Sequence, residues 1–82
     1  MTYNEVEVTV KEILAKQLTM SADKINLESS LVEDLGLDSF GSVEIAFELE
    51  EKFDLKIPDA ALYEAKTVKD IVDYIASQKG NK

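Results

Sequence analysis

No cysteine, histidine or tryptophan occurs in the 82 residues, and there is one proline and three glycines. Without cysteine there is neither a thiol nucleophile nor a disulfide framework to suggest secretion. Without histidine the usual general base and a common metal ligand are missing. No Ser/His/Asp or Cys/His arrangement can be assembled, so an enzyme is the least expected class. So little Gly and Pro argues against a turn-rich all-β fold, and 45% hydrophobic content is too high for a disordered acidic tail. The composition predicts helices. No apolar run approaches the ~20 residues of a membrane span. The start, Met1-Thr2-Tyr3-Asn4-Glu5-Val6-Glu7, lacks the basic and apolar stretches of a signal peptide. The expectation is a cytoplasmic protein without membrane contact. A chain this short buries roughly 60% of its unfolded surface, enough for one thin core in a single domain, residues 1–82, and for no deep cleft.

What is present is acid: 17 Asp and Glu against 9 Lys and Arg, a net charge of -8. Between Glu28 and Glu64 there are eleven acids against Lys52 and Lys56, a net of -9, and the rest of the chain carries +1. Acids scattered over a surface serve solubility. Concentrated in one segment, they repel nucleic acid and steer basic protein surfaces toward it.

Periodicity places a first helix over about Asn4 to Leu18, with Val6, Val10, Ile13, Leu14, Gln17 and Leu18 on helical spacing and Thr2 or Asn4 as its cap. A long connection follows, up to Asp38. Its Ile25, Leu27, Leu31, Leu35 and Leu37 argue for a loop packed on the helices, with one short turn around Ser30 to Leu35. A second helix spans Ser39 to about Phe53, capped by Asp38. At 100° per residue, Ser42, Ile45, Ala46, Leu49 and Phe53 form its core stripe, flanked by Val43, while Phe40, Glu44, Phe47, Glu48 and Glu51 fall opposite. Two phenylalanines among three carboxylates read as an interaction surface, unless the long loop folds over Phe40. Gly41 weakens the first turn and leaves no Glu for a capping box, so a soft start is expected.

Pro58 to Tyr63 reads as a short helical turn, and Thr67-Val68-Lys69-Asp70 as a capping box that opens a last helix striped by Val68, Ile71, Val72 and Ile75. The tail, from about residue 77 to 82, is expected to fray. The fold class is all-α: a small four-helix bundle of three longer helices and one short one, with the long loop between helices one and two.

Glu33, Asp34 and Asp38 lack the spacing of a calcium loop, and no metal site is expected. Glu50 and Glu51 are adjacent and so diverge by about 100° on a helix, which is wrong for two carboxylates sharing a substrate atom. No glycine-rich phosphate loop occurs. What remains is Ser39, a hydroxyl at a helix start in the densest acidic region, where capping is the commoner role for serine.

The surrounding residues add to this. Leu35-Gly36-Leu37-Asp38-Ser39-Phe40, then Val43-Glu44, Leu49-Glu50-Glu51-Lys52-Phe53 and Ile57-Pro58-Asp59, resemble the acyl carrier protein family, with its G-x-D-S-L, V-E, L-E-E-x-F and I-P-D segments in the same order. The resemblance covers nearly the whole chain, through Thr67-Val68 to Asp73-Tyr74-Ile75. It implies that Ser39 is esterified by 4′-phosphopantetheine, with Asp38 beside it in the cofactor site, and that the thiol of that group carries acyl groups as thioesters. It implies, as partners, a phosphopantetheinyl transferase and acyl-loading and acyl-transfer enzymes with basic docking patches, in fatty-acid, polyketide or related lipid biosynthesis. It also assigns Asp38, Glu44, Glu50 and Glu51 to partner recognition. The helical wheel favours Glu44, Glu48 and Glu51 over Glu50, with Phe40, Val43 and Phe47 supplying apolar contact. A monomer is expected.

A chain without cysteine that carries a thioester must borrow a thiol, and a helix N-terminus favours a phosphodiester beside it. The modest side chains of Val10, Leu14, Ile45, Ala46, Leu49, Val68, Ile71 and Val72 leave room for an acyl chain among them.

Departures from the family pattern fall on the docking face. Phe40 and Gly41 stand where Leu and often an acid follow the serine, Phe47 at a Met-like position and Glu48 at an Ala-like one, and Leu62-Tyr63 replaces an acidic run. They suggest a carrier for a specialised pathway ahead of the housekeeping fatty-acid carrier. A peptidyl or aminoacyl carrier is a sister alternative, with a different residue context before its serine and a less acidic surface. From another class, an unmodified acidic helical interaction domain, including a nucleic-acid mimic, would tolerate Ser39→Ala where a carrier would not.

Overall fold

Side-chain caps set where the long helices begin. The computed structural model describes residues 2–79, and at residues 39, 59, 62 and 63 the backbone alone. Helix α1, Tyr3–Leu18, starts behind Thr2 in a full capping box: Thr2 Oγ1 accepts from the Glu5 N–H at 3.1 Å and Glu5 Oε1 from the Thr2 N–H at 2.8 Å. Thr2, and not Asn4, is therefore the cap. Helix α2, Ser39–Phe53, begins behind Asp38. Helix α3, Asp59–Glu64, is a six-residue segment after Pro58, and α4, Val68–Gln78, opens with the Thr67 and Asp70 capping box expected from the sequence. Residues 80–82 of the tail expected to fray lie outside the described residues.

The described residues are all-helical, without a strand. Helix α1 packs on both α4 and α2, and α2 touches α3. Val6, Val10 and Leu14 of α1 meet Ile45, Leu49 and Phe53 of α2 and Val68, Ile71, Val72 and Ile75 of α4 in one buried cluster. The stripes are narrower at their ends than the periodicity suggested: Ile13, Gln17, Leu18 and Ser42 are only half-buried, while Ala15 and Ala76 join the interior. Small side chains sit where helices approach closely, and hydropathy reads them weakly.

The long connection is ordered by backbone pairing. After a 3-10 turn at Ala22–Lys24, capped by Ser21, residues 27–31 run beside 66–69. The Leu31 N–H donates to Lys66 O at 2.9 Å, Val68 N–H to Ser29 O at 3.1 Å and Lys69 N–H to Leu27 O at 2.8 Å, around an isolated antiparallel bridge between Ser30 and Thr67. Residues 31–35 then form the expected turn, and Leu37 N–H returns to Leu31 O at 2.9 Å. Gly36 closes it with φ 70°, in the left-handed region that favours glycine.

An apolar pocket of about 10 Å³ lies between α3 and α4, lined among others by Ile57, Ala61, Ala65, Ile71 and Ile75. Of the residues read from the sequence as leaving space for a chain, Ile71 alone lines it.

Candidate functional site at the start of helix α2

The chain enters α2 with alternating burial. Leu37 is buried, which fixes the segment against the core, and Asp38 is exposed in an extended conformation (φ -106°, ψ -177°). Asp38 Oδ1 accepts the Gly41 N–H at 2.7 Å, and the Asp38 carbonyl accepts the Ser42 N–H at 2.9 Å. The first turn expected to be soft is thus closed by its cap. Gly41 has a local reason: a Cβ there would come within 3.1 Å of Leu37 Cδ2 and 3.4 Å of Asp38 Oδ1. Glycine lets the capping segment lie tightly on the turn.

Phe40 is 80% exposed, so the long loop does not cover it. Phe47 is 66% and Val43 46% exposed on the same outer side, with Glu44 and Glu51 exposed and Glu48 half-buried. Open depressions flank Phe47 on two sides. One is lined by Gln17, Glu44, Phe47, Glu48 and Glu51, the other by Phe47, Glu50, Glu51, Asp54, Leu55 and Lys56. The aromatic ring stands as a ridge between two acidic hollows.

Two side chains were not legible from periodicity. Gln17, on the half-buried edge of α1, donates from Nε2 to Glu44 Oε1 at 2.5 Å and so joins α1 to this face. Val32, 69% exposed in the 31–35 turn, adds an apolar group near the chain's approach to α2 in sequence. Glu50 turns from the outer face: its Oε2 accepts the Ile57 N–H at 2.8 Å in a half-buried setting.

The displaced ionisations lie at α1 and α4. The hydrogen bond to Asp73, then burial, pushes the Tyr3 phenol up to about 12. Hydrogen bonds from Lys69 and then Tyr3 hold Asp73 below the usual carboxylate value, and backbone N–H groups, Lys66 first, do the same for Asp70. Among the described residues no group of three or more carboxylates is placed to hold a metal ion. No described helix is long and apolar enough to cross a membrane.

A family model described as the phosphopantetheine attachment site matches residues 8–75, from the second turn of α1 to the penultimate turn of α4. The chain belongs to this family. Its members are non-catalytic carriers with a covalently attached 4′-phosphopantetheine group, served by a phosphopantetheinyl transferase and by partner enzymes. The residues at the start of α2 fit such a group in this carrier. The N–H groups of a first helical turn and the helix dipole favour a phosphodiester anion. The flanking residues Asp38 and Phe40 are both exposed.

Proposed function

We propose that Ser39 is the attachment residue, and that the carrier presents acyl groups to its partners through the outer face of α2. The observation that carries this reading is the position of Ser39 as first residue of α2, between exposed Asp38 and exposed Phe40. The bound group supplies a terminal thiol that holds acyl cargo as a thioester. The protein's residues do the rest. Asp38 caps and so positions the backbone on which the serine sits, and it offers a carboxylate to a modifying enzyme. Glu44, Glu48 and Glu51 draw basic docking patches, while Phe40, Val43 and Phe47 give the apolar contact that orients them. A small, charge-steered contact forms and parts quickly, which suits a shuttle.

Residues 1–82 are read as one carrier domain in which α1 to α4 make a four-helix bundle, monomeric and cytoplasmic, its apolar interior sheltering the acyl chain. The cargo belongs to fatty-acid, polyketide or related lipid synthesis. Large exposed Phe40 and Phe47 favour partners of a specialised pathway, since each aromatic ring needs a matching hollow in the enzyme it meets. The test is intact mass before and after incubation with a phosphopantetheinyl transferase and coenzyme A. A gain of one phosphopantetheinyl group in the parent and none in Ser39→Ala is expected. A gain in both proteins would move the site, and no gain with several transferases would leave an acidic interaction domain.

A further inference from the structure

All nine basic residues of the chain are lysines, and none lies between Ile25 and Glu51. The stretch of sequence around Ser39 is therefore without a side-chain amine. With no cysteine or histidine in the chain, the lysine amine is its strongest side-chain nucleophile. Amines convert thioesters to amides, so the position of each lysine relative to Ser39 matters to a carrier of thioesters.

Backbone pairing returns one lysine to that stretch. Lys66 O accepts the Leu31 N–H at 2.9 Å, and Leu31 O accepts the Leu37 N–H at 2.9 Å. Leu31 and Leu37 are both buried, so the two links are anchored in the core. From Leu37 the chain runs through extended Asp38 to Ser39. Two paired-backbone spacings of about 5.5 Å and two extended residues place the Lys66 backbone within about 18 Å of that of Ser39. A 4′-phosphopantetheine arm on serine has the chain length of about five residues, about 17 Å when extended. The lysine side chain covers part of the gap from its own end.

Lys66 is exposed, and among the described residues its Nζ makes no ion pair. Asp70, one turn on, is taken up by backbone instead: its Oδ2 accepts the Lys66 N–H at 2.8 Å and the Thr67 N–H at 3.2 Å. Other lysines are placed differently. Lys69 pairs through its backbone with Leu27, further from Leu37, and its Nζ is held by Asp73 at 2.7 Å. Lys79 Nζ donates to Phe53 O at 2.8 Å, and Lys16 lines a groove with Glu12, Glu48 and Glu51. Lys52 stands in the last turn of α2, about 20 Å along its axis from Ser39.

We propose that Lys66 is a modification site, acylated by the carrier's own thioester. The neutral Lys66 amine attacks the thioester carbonyl, a C–N bond forms as the C–S bond breaks, and the amine proton passes through solvent to the departing thiolate. The products are Nε-acylated Lys66 and the free thiol of the arm, with no further reactant. Tethering holds the thioester near the amine at a concentration that collision does not reach. The modification removes one positive charge and withdraws that acyl group from transfer to partners. This rests on the reading of Ser39 as the attachment residue.

The test loads the parent and Lys66→Arg with octanoyl-coenzyme A and a phosphopantetheinyl transferase, removes small molecules and follows both proteins over time. Ser39→Ala is held beside them with free octanoyl-coenzyme A at the same concentration. Neutral hydroxylamine then strips thioesters, and peptide mass mapping reads the octanoyl amides that remain. In the parent the amide should collect at Lys66 about tenfold faster than at Lys69, at a first-order rate that dilution leaves unchanged and higher pH raises. Lys66→Arg should keep its thioester longer, and Ser39→Ala should label Lys66 about tenfold more slowly than the loaded parent does. Even labelling of the lysines, equal labelling in Ser39→Ala, or a rate that falls on dilution overturns the proposal. A loaded parent without amide overturns it alone, whereas a parent that takes no octanoyl-phosphopantetheine overturns the Ser39 reading and this proposal with it.

Discussion

The phenol of Tyr3, the first residue of α1, donates to Asp73 Oδ1 on α4 at 2.6 Å, joining residues 70 positions apart in the chain. Lys69, one turn before Asp73, takes the other carboxylate oxygen at 2.7 Å. The exposed Lys69 contact is the weaker stabiliser, because solvent screens it. The Tyr3 bond is part-buried and joins the first turn of α1 to α4.

That bond predicts a pH dependence. The Tyr3 phenol titrates at about 12 instead of 10.0, so its contribution is complete below pH 10 and is lost as pH rises from 10 through about 12. Asp73 is lowered from 3.8, so its contribution is complete above that value and is lost as pH falls below it. Tyr3→Phe should cost about 1 kcal/mol at pH 7, read from urea unfolding, and the difference from the parent should shrink between pH 10 and 12. A constant difference across that range would mean that the hydroxyl acts by packing.

Capping and recognition can be separated at Asp38. Asp38→Ala removes the acceptor for the Gly41 N–H and should destabilise by about 1 kcal/mol, whereas Asp38→Asn keeps an oxygen there and should cost a few tenths of that. If Asp38 also guides the modifying enzyme by charge, Asp38→Asn should slow modification while its melting temperature stays near the parent's. Thermal melts and the rate of mass gain measure the two effects.

The outer face of α2 should bear function without bearing stability. Phe47→Ala and Glu48→Lys alter side chains at the ridge and its rim, so unfolding free energy should change by less than about 0.5 kcal/mol. Association with a partner enzyme should slow for Glu48→Lys and lose its salt dependence, while Phe47→Ala should mainly speed dissociation. Stopped-flow binding at two ionic strengths distinguishes them.

Gly36 stands at φ 70°, and a Cβ added there would meet nothing within 4 Å, so strain from a side chain at this position is purely backbone. Gly36→Ala should therefore destabilise by about 1 kcal/mol without any packing change. An unchanged melting temperature would show that the 31–37 turn relaxes at no cost.

Much of this protein was legible in its sequence for a local reason. A helix start is written in adjacent residues, so Asp38 before α2 and the Thr67 and Asp70 pair before α4 could be read directly, and 100° per residue was enough to put Phe40 and Phe47 on the side away from Ile45 and Leu49. The pantetheine-carrier assignment rests on the same kind of signal, motifs in order along one chain. Tertiary structure decided what no local pattern records. Residues 27–31 lie beside 66–69 through backbone groups, Gln17 reaches from α1 to Glu44 of α2, and Glu50 turns to Ile57 though it stands in a run of acids. Each of these bonds joins parts of the chain whose proximity exists only after the apolar stripes have packed, and it is that packing which separates the carboxylates left at the surface of α2 from the one that ties its end to Ile57.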